Sequence, residues 1–266
     1  MTDSTDPRRL WLHAIESFAD VATSLTEPQW QLPSPCPGWS VGDVVAHTVD
    51  IEERMAGVPQ PDYEPDWSTL PHVKESGRRM EPGVDRRRGL DRSTVLDELS
   101  SAMMARSQQM ATLDLTSTIV GPFGREISMP AMMNMRVFDI WVHEQDIRTA
   151  IGQPGNLDGA AAHVTQRMIL DALPKAWAKS AAAPSGAVLC VEITGAALPT
   201  RVLVLSAEDG RGELLAEHDG APDVTIRGTW PTFLAASTGR GPVSALEFTG
   251  DASLGQAVAA HLNIAP

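Results

Sequence analysis

The chain has 266 residues, a formal net charge of −13 and 42% hydrophobic residues. That content supports a buried core and two domains, and the acidity excludes a general nucleic-acid or anionic-membrane surface. No apolar run reaches the roughly 18 residues of a membrane span.

The start, Met1-Thr2-Asp3-Ser4-Thr5-Asp6, is polar and acidic, unlike a secretory signal. Two cysteines, Cys36 and Cys190, do not make a disulfide framework. A reducing cytoplasm is the expected location. In chain order, Trp11, Ile15, Phe18, Ala22 and Leu25 form one apolar stripe and predict a helix over 8–26. A second helix is predicted from Ser40 to about Ala56. Ser40 is a good N-cap with Asp43 at N3, and Trp39 and Val44 occupy the positions of a hydrophobic staple. His47 then shares a side with Val44 and Ile51.

Residues 58–92 are rich in Pro, Gly and charge and read as a long loop. Its basic cluster, Arg86-Arg87-Arg88 after Arg78-Arg79, reads as solvated, the alternative being that it guards the entrance to a site for an anionic substrate. A third helix is predicted over 94–113, with Leu96, Leu99, Met103, Arg106 and Met110 on one line. Gly121-Pro122 and Gly124 mark a turn or short hairpin. Pro130 opens a fourth helix that ends near Gly152, and a fifth runs from an Asp158 cap to about Ala172, stopped by Pro174. Residues 180–187, an Ala/Pro/Ser/Gly stretch, read as a linker. Strands follow at 188–194, 200–206, 212–217, 223–228 and 245–249, with helices at 230–237 and 252–262. An all-α half, residues 1–179, therefore precedes an α+β half, residues 187–266.

Chemistry concentrates on two helices. Asp139 and His143 are four residues apart, so they share a helix face, and His47 on another helix can face them. Two imidazoles and a carboxylate leave a metal position open, as catalytic sites do. The set suits Zn²⁺ and also other divalent ions. Asp50, one turn after His47, and Asp146, one turn after His143, are candidates to hold the second ring nitrogens. An Asp-x-x-x-His pair alone is weak evidence for metal, and His47 alone reads as a half-buried histidine bonded to a neighbour. Met129, Met132, Met133 and Met135 read as core filler, and Cys36 as a loop cysteine.

Two segments carry a resemblance. Cys36-Pro37-Gly38-Trp39-Ser40-Val41-Gly42-Asp43-Val44-Val45-Ala46-His47 and Met135-Arg136-Val137-Phe138-Asp139-Ile140-Trp141-Val142-His143-Glu144-Gln145-Asp146-Ile147-Arg148 look like the metal-binding signatures of the mycothiol-dependent maleylpyruvate isomerase family. In the second half Asp223–Gly228, Thr238–Gly241 and Gly250–Gly255 are similar to that family's C-terminal domain. The resemblance implies a DinB-like four-helix bundle joined to a sterol-carrier-like α+β domain. It implies ligands at His47, Asp139 and His143, with Asp139 standing where the family pattern has Glu, one methylene longer. It also implies an active-site arginine from the C-terminal domain, with Arg240 the first candidate and Arg227 the second.

The function so implied is a divalent-metal enzyme, zinc being the first choice, with a low-molecular-weight thiol such as mycothiol as nucleophile. It would be a thiol S-transferase or cis-trans isomerase acting on a small-molecule electrophile, as a monomer or small homo-oligomer with no nucleic-acid or membrane partner. Two alternatives stand beside it. One is a hydrolase using metal-bound water, the other a non-catalytic protein that binds a small molecule.

Overall fold

The computed structural model describes residues 6–121, 124–195 and 201–263. The polar start (residues 1–5), Pro122 of the expected turn and Thr200 of the expected strand lie outside the described residues.

Compact units comprise Met1–Asn156 and Leu157–Pro266. The first is helical. Helix α1 (Pro7–Ser24) is capped by Asp6, whose side chain accepts from the Arg8 amide, and it buries Trp11, Ile15, Phe18 and Ala22. A short α2 (Glu27–Trp30) carries a Thr26/Gln29 capping box. Helix α3 (Val41–Met55) starts where Ser40 predicts, with Ser40 and Asp43 each accepting from the other's backbone N–H, at 3.1 and 2.9 Å. After α4 (Glu81–Asp85) comes α5 (Arg92–Met110). Its buried line is Val95, Leu99, Ala102, Arg106 and Met110, so Val95 and Ala102 take the places expected for Leu96 and Met103.

A hairpin of β1 (Thr118–Val120) and β2 (Glu126–Ser128) leads into α6 (Met129–Ala150), capped by Ser128. Helix α1 packs on α6 and α5, and α3 packs on α5 and α6, closing a four-helix bundle. No helix among the described residues is long and apolar enough to cross a membrane.

In the segment between α3 and α5, Arg78 and Arg79 are exposed as expected, whereas the Arg86-Arg87-Arg88 run corrects the solvated-loop expectation. The Arg87 side chain is fully buried, donating to Glu53 at 2.7 Å, Glu98 at 2.5 Å and the Gly83 carbonyl at 2.8 Å. Arg88 meets Glu81 and Asp85, each at 2.7 Å, and Asp43 at 3.1 Å; Arg86 meets Glu53 at 3.0 Å. The physical reason is the acidic face that α3 and α5 turn toward them: a buried arginine is tolerated when its donors are matched by carboxylates. Gly83 lets α4 lie directly on α3, because a Cβ there would stand 2.0 Å from Asp50 Cγ.

The second unit is α+β. Helix α7 (Ala160–Lys175) contains Pro174 and runs on into a π-helical turn, Ala176–Ser180. Pro174 was expected to stop the helix. The chain instead widens after it, and the Ala181 amide bonds Ala176 at 2.8 Å, a five-residue step that absorbs the interrupted bonding. The stretch expected to be a linker is tied down. Ala183 and Ala187 are buried, Ser206 Oγ donates to the Ala183 carbonyl at 2.8 Å, and Trp177 Nε1 donates to the Ala187 carbonyl at 3.2 Å. Its small side chains serve close packing here.

Strands β3 (Val188–Thr194), β4 (Arg201–Ser206), β5 (Gly212–Leu215), β6 (Val224–Thr229) and β7 (Glu247–Gly250) form one sheet in the order β5-β4-β3-β6-β7. Only the β3–β6 pair is parallel, in the register Leu189↔Val224. Central β3 buries its first four residues in succession, as a strand covered on both faces should. Helix α7 packs on β4 and β5, α8 (Trp230–Ser237) on β3 and β6, and α9 (Ala252–Ala259) on β6 and β7. Gly250 has φ +100° and lies so close to the Asp223 carbonyl that a Cβ would sit 2.1 Å from its oxygen, so only glycine fits.

Candidate metal centre

His47 projects from α3, and Asp139 and His143 from successive turns of α6. His47 Nε2 lies 3.6 Å from Asp139 Oδ2, and His143 Nε2 lies 3.6 Å from Asp139 Oδ1. The imidazole rings meet edge to face at 4.8 Å. One donor atom from each of the three residues lies within 4.8 Å of the other two, and the donors of a tetrahedral ion with bonds near 2.0 Å stand about 3.3 Å apart, so the three can surround an ion. The histidine side chains are 7% and 6% exposed and that of Asp139 is 33% exposed, which puts the opening of the cluster at the carboxylate.

His143 Nδ1 lies 2.9 Å from Asp146 Oδ2, and Cys36 Sγ donates to the same oxygen at 3.1 Å. Cys36, His143 and Asp146 are thus a second group of close donors. Two of their three separations are hydrogen-bond lengths, filled by protons, whereas the two histidines stand farther from Asp139, at 3.6 Å each. The residues therefore fit a divalent ion at the first group, with Asp146 fixing the ring of His143.

Asp50, expected beside His47, is bonded elsewhere. Its Oδ2 accepts from Arg54 Nε at 2.7 Å, and its Oδ1 lies 3.6 Å from Arg87. Asp50 sits on the side of α3 that α4 covers. Buried His47 Nδ1 has no hydrogen-bond partner among the described residues.

Charge in the cluster is uneven. Burial lowers the pKa of His47, against the pull of Asp139. Burial also opposes charge on His143, but Asp139, Asp146 and Cys36 outweigh it and carry its pKa up to about 10. Asp139 is held well below the usual carboxylate range; burial would raise it, and Arg136 with the two histidines overrides that. Without metal, the proton of the cluster thus resides on His143.

Several neighbours escaped the sequence reading. The Trp39 ring lies 5.1 Å from that of His47 and 6.3 Å from that of His143, and its Nε1 donates to buried Glu81 at 3.0 Å. It walls the cluster, a role the staple pattern did not reveal. Arg136 donates to Asp139 Oδ2 and to Glu52. A signal existed in Arg106, a charged residue on an otherwise apolar helix line, which demands a buried acid; that acid is Glu52, 3.0 Å away. In the second unit, Arg227 is half-exposed and donates to Glu192 at 2.7 Å, while Arg240 follows α8 and donates to the Thr238 carbonyl at 2.5 Å.

A four-helix bundle carrying a His/Asp/His cluster, followed by an α+β unit, defines the class of protein by its fold. The family model for the mycothiol maleylpyruvate isomerase N-terminal domain matches residues 11–148, and the chain belongs to that family. Residues 168–263 match the SCP-2 sterol transfer family.

Two uncharacterized proteins of Mycobacterium tuberculosis, from strains CDC 1551 / Oshkosh and ATCC 25618 / H37Rv, are each 25% identical over 153 residues, 58% of this chain and 71% of theirs. The crystal structure of a mycothiol-dependent maleylpyruvate isomerase aligns with a TM-score of 0.58 at 14% identity, covering 91% of both chains. A mutant form of it aligns at 0.56, with the same identity and coverage. At such identity the likeness shows the fold.

Proposed function

We propose that this protein is a divalent-metal enzyme that uses a low-molecular-weight thiol, mycothiol being the first candidate, to attack a small electrophile. The observation that carries this reading is the His47–Asp139–His143 set, spaced for an ion, with the second nitrogen of His143 held by Asp146. Membership of a family named for a mycothiol-dependent isomerase supports the choice of thiol. A bound divalent ion, zinc first among them, would supply Lewis acidity that makes a thiol nucleophilic near neutral pH.

The chain's own groups do the rest. Asp146 accepts from His143 Nδ1 and leaves Nε2 facing Asp139. Trp39 keeps water from one side of His47. The exposed edge of Asp139 is the approach for thiol and electrophile. Addition of the thiol to a conjugated double bond, rotation about the new single bond and elimination give the other geometric isomer; release of the thioether instead makes the reaction a transfer. Arg240 is our first candidate for holding a substrate carboxylate and Arg227 the second, as the family resemblance implies.

The test pairs metal analysis of the purified protein with thiol-dependent consumption of an unsaturated dicarboxylate. His47→Ala and His143→Ala should each abolish metal binding and turnover with helix content unchanged. Turnover without any thiol would replace this reading with hydrolysis. A metal-free protein indifferent to both substitutions would leave only small-molecule binding.

A further inference from the structure

A buried chain of charge ends on the carboxylate of Asp139. Glu52 is fully buried on α3, five residues after His47. Its Oε2 accepts from Trp11 Nε1 at 3.1 Å and Arg106 Nε at 3.0 Å. Its Oε1 accepts from Arg136 Nε at 3.1 Å and Nη2 at 2.6 Å. One edge of the Arg136 guanidinium is thus spent on Glu52, and Nη1 donates to Asp139 Oδ2.

The guanidinium is planar and rigid, so anchoring Nε and Nη2 dictates where Nη1 points. Residues of α1, α3, α5 and α6 take part, which ties the Asp139 rotamer to the whole bundle. Burying two arginines with a glutamate is costly, and a well-packed apolar set often folds as well. Stability alone therefore gives no reason for the group to end on Asp139. That residue is also short: an Asp reaches less far from its helix than a Glu, and a neighbour that fixes its carboxylate matters correspondingly more.

We propose that the Glu52–Arg136 pair is a positioning device for Asp139 as a metal ligand, engaging Oδ2 and leaving Oδ1 beside His143 Nε2. This rests on the reading of His47, Asp139 and His143 as the metal ligands. Neither Arg136 nor Glu52 is itself a ligand; each acts through Asp139.

The experiment measures Zn²⁺ affinity by chelator competition and the visible spectrum of the Co²⁺-loaded protein. It compares the parent with Arg136→Lys, Glu52→Gln, Asp139→Asn and the Arg136→Lys/Asp139→Asn double variant. Lysine keeps the charge but cannot grip Glu52 and Asp139 together. Arg136→Lys is expected to weaken Zn²⁺ binding by about 10- to 100-fold and to alter the Co²⁺ spectrum, as loss of an outer partner does. In the Asp139→Asn background the same change should cost little more, because the carboxylate it positions is gone. Glu52→Gln should act in the same direction and decides the matter if Arg136→Lys fails to fold.

Fully additive effects in the double variant overturn the proposal. So does an unchanged affinity and spectrum in a folded Arg136→Lys or Glu52→Gln protein that melts earlier, which would make the pair purely structural. His47→Ala and His143→Ala are run alongside; if neither weakens Zn²⁺ binding, the ligand reading fails first and the proposal falls with it, by a distinguishable result.

Discussion

His143 carries the most informative charge in the bundle. In the metal-free protein its pKa is raised to about 10, against roughly 6.5 in an unfolded chain. A raised folded-state pKa stabilises the fold below the unfolded value, and that contribution is lost as pH climbs through the folded one. The chelator-treated protein should therefore lose melting temperature between about pH 6.5 and 10, and His143→Gln should flatten the slope, read by thermal unfolding at stepped pH. Metal must also displace that proton at neutral pH, so Zn²⁺ binding should release it, measurable by calorimetry in buffers of different ionisation enthalpy. Asp146→Ala should weaken Zn²⁺ binding by about 10- to 100-fold while leaving helix content intact, checked by chelator competition and circular dichroism. Which residues could be ligands was legible in the sequence, because one-turn spacing on a helix forces Asp139 and His143 together. The partner of each second nitrogen was half legible: Asp146 meets His143, whereas Asp50 is drawn to Arg54 and Arg87. Residue spacing shows which side of a helix a group occupies, but not which neighbour competes for it.

The elements were readable wherever the signal is local. The Ser40/Asp43 box starts α3 as expected, and Ser40→Ala should cost about 1 kcal/mol of stability, measured by urea unfolding. The segment between α3 and α5 was not readable, because its order comes from partners far away in sequence. Arg87 reaches back 34 residues to Glu53 and forward 11 to Glu98. Removing one partner of such a buried set is strongly unfavourable, so Arg87→Ala should destabilise by about 3–5 kcal/mol, again read by urea unfolding. Pro174 teaches the same lesson. A helix-breaking residue is a local signal, yet packing of α7 on β4 and β5 holds the chain in place until the π turn takes up the misfit.

For the molecule as a whole, the residue 180–187 stretch separates composition from structure. Its Ala, Pro, Ser and Gly content reads as a linker, yet Ala183 and Ala187 are buried and the stretch is bonded to β4 and Trp177. Limited proteolysis followed by mass mapping should spare it. The sequence by itself determined the longer helices and the five strands in their order, the helical then α+β character and the two helix faces that carry the histidines, since periodicity, capping and turn chemistry act over a few residues. Only the tertiary structure decided that His47 meets Asp139 and His143 at a spacing fit for an ion. It alone also decided that Trp39 walls the cluster, that Arg87 of the long loop is buried, and that a Glu52–Arg136 pair grips Asp139. Each of these depends on groups tens of residues apart meeting in a space that excludes water, where an unmatched charge is costly and a matched one settles where its neighbours go.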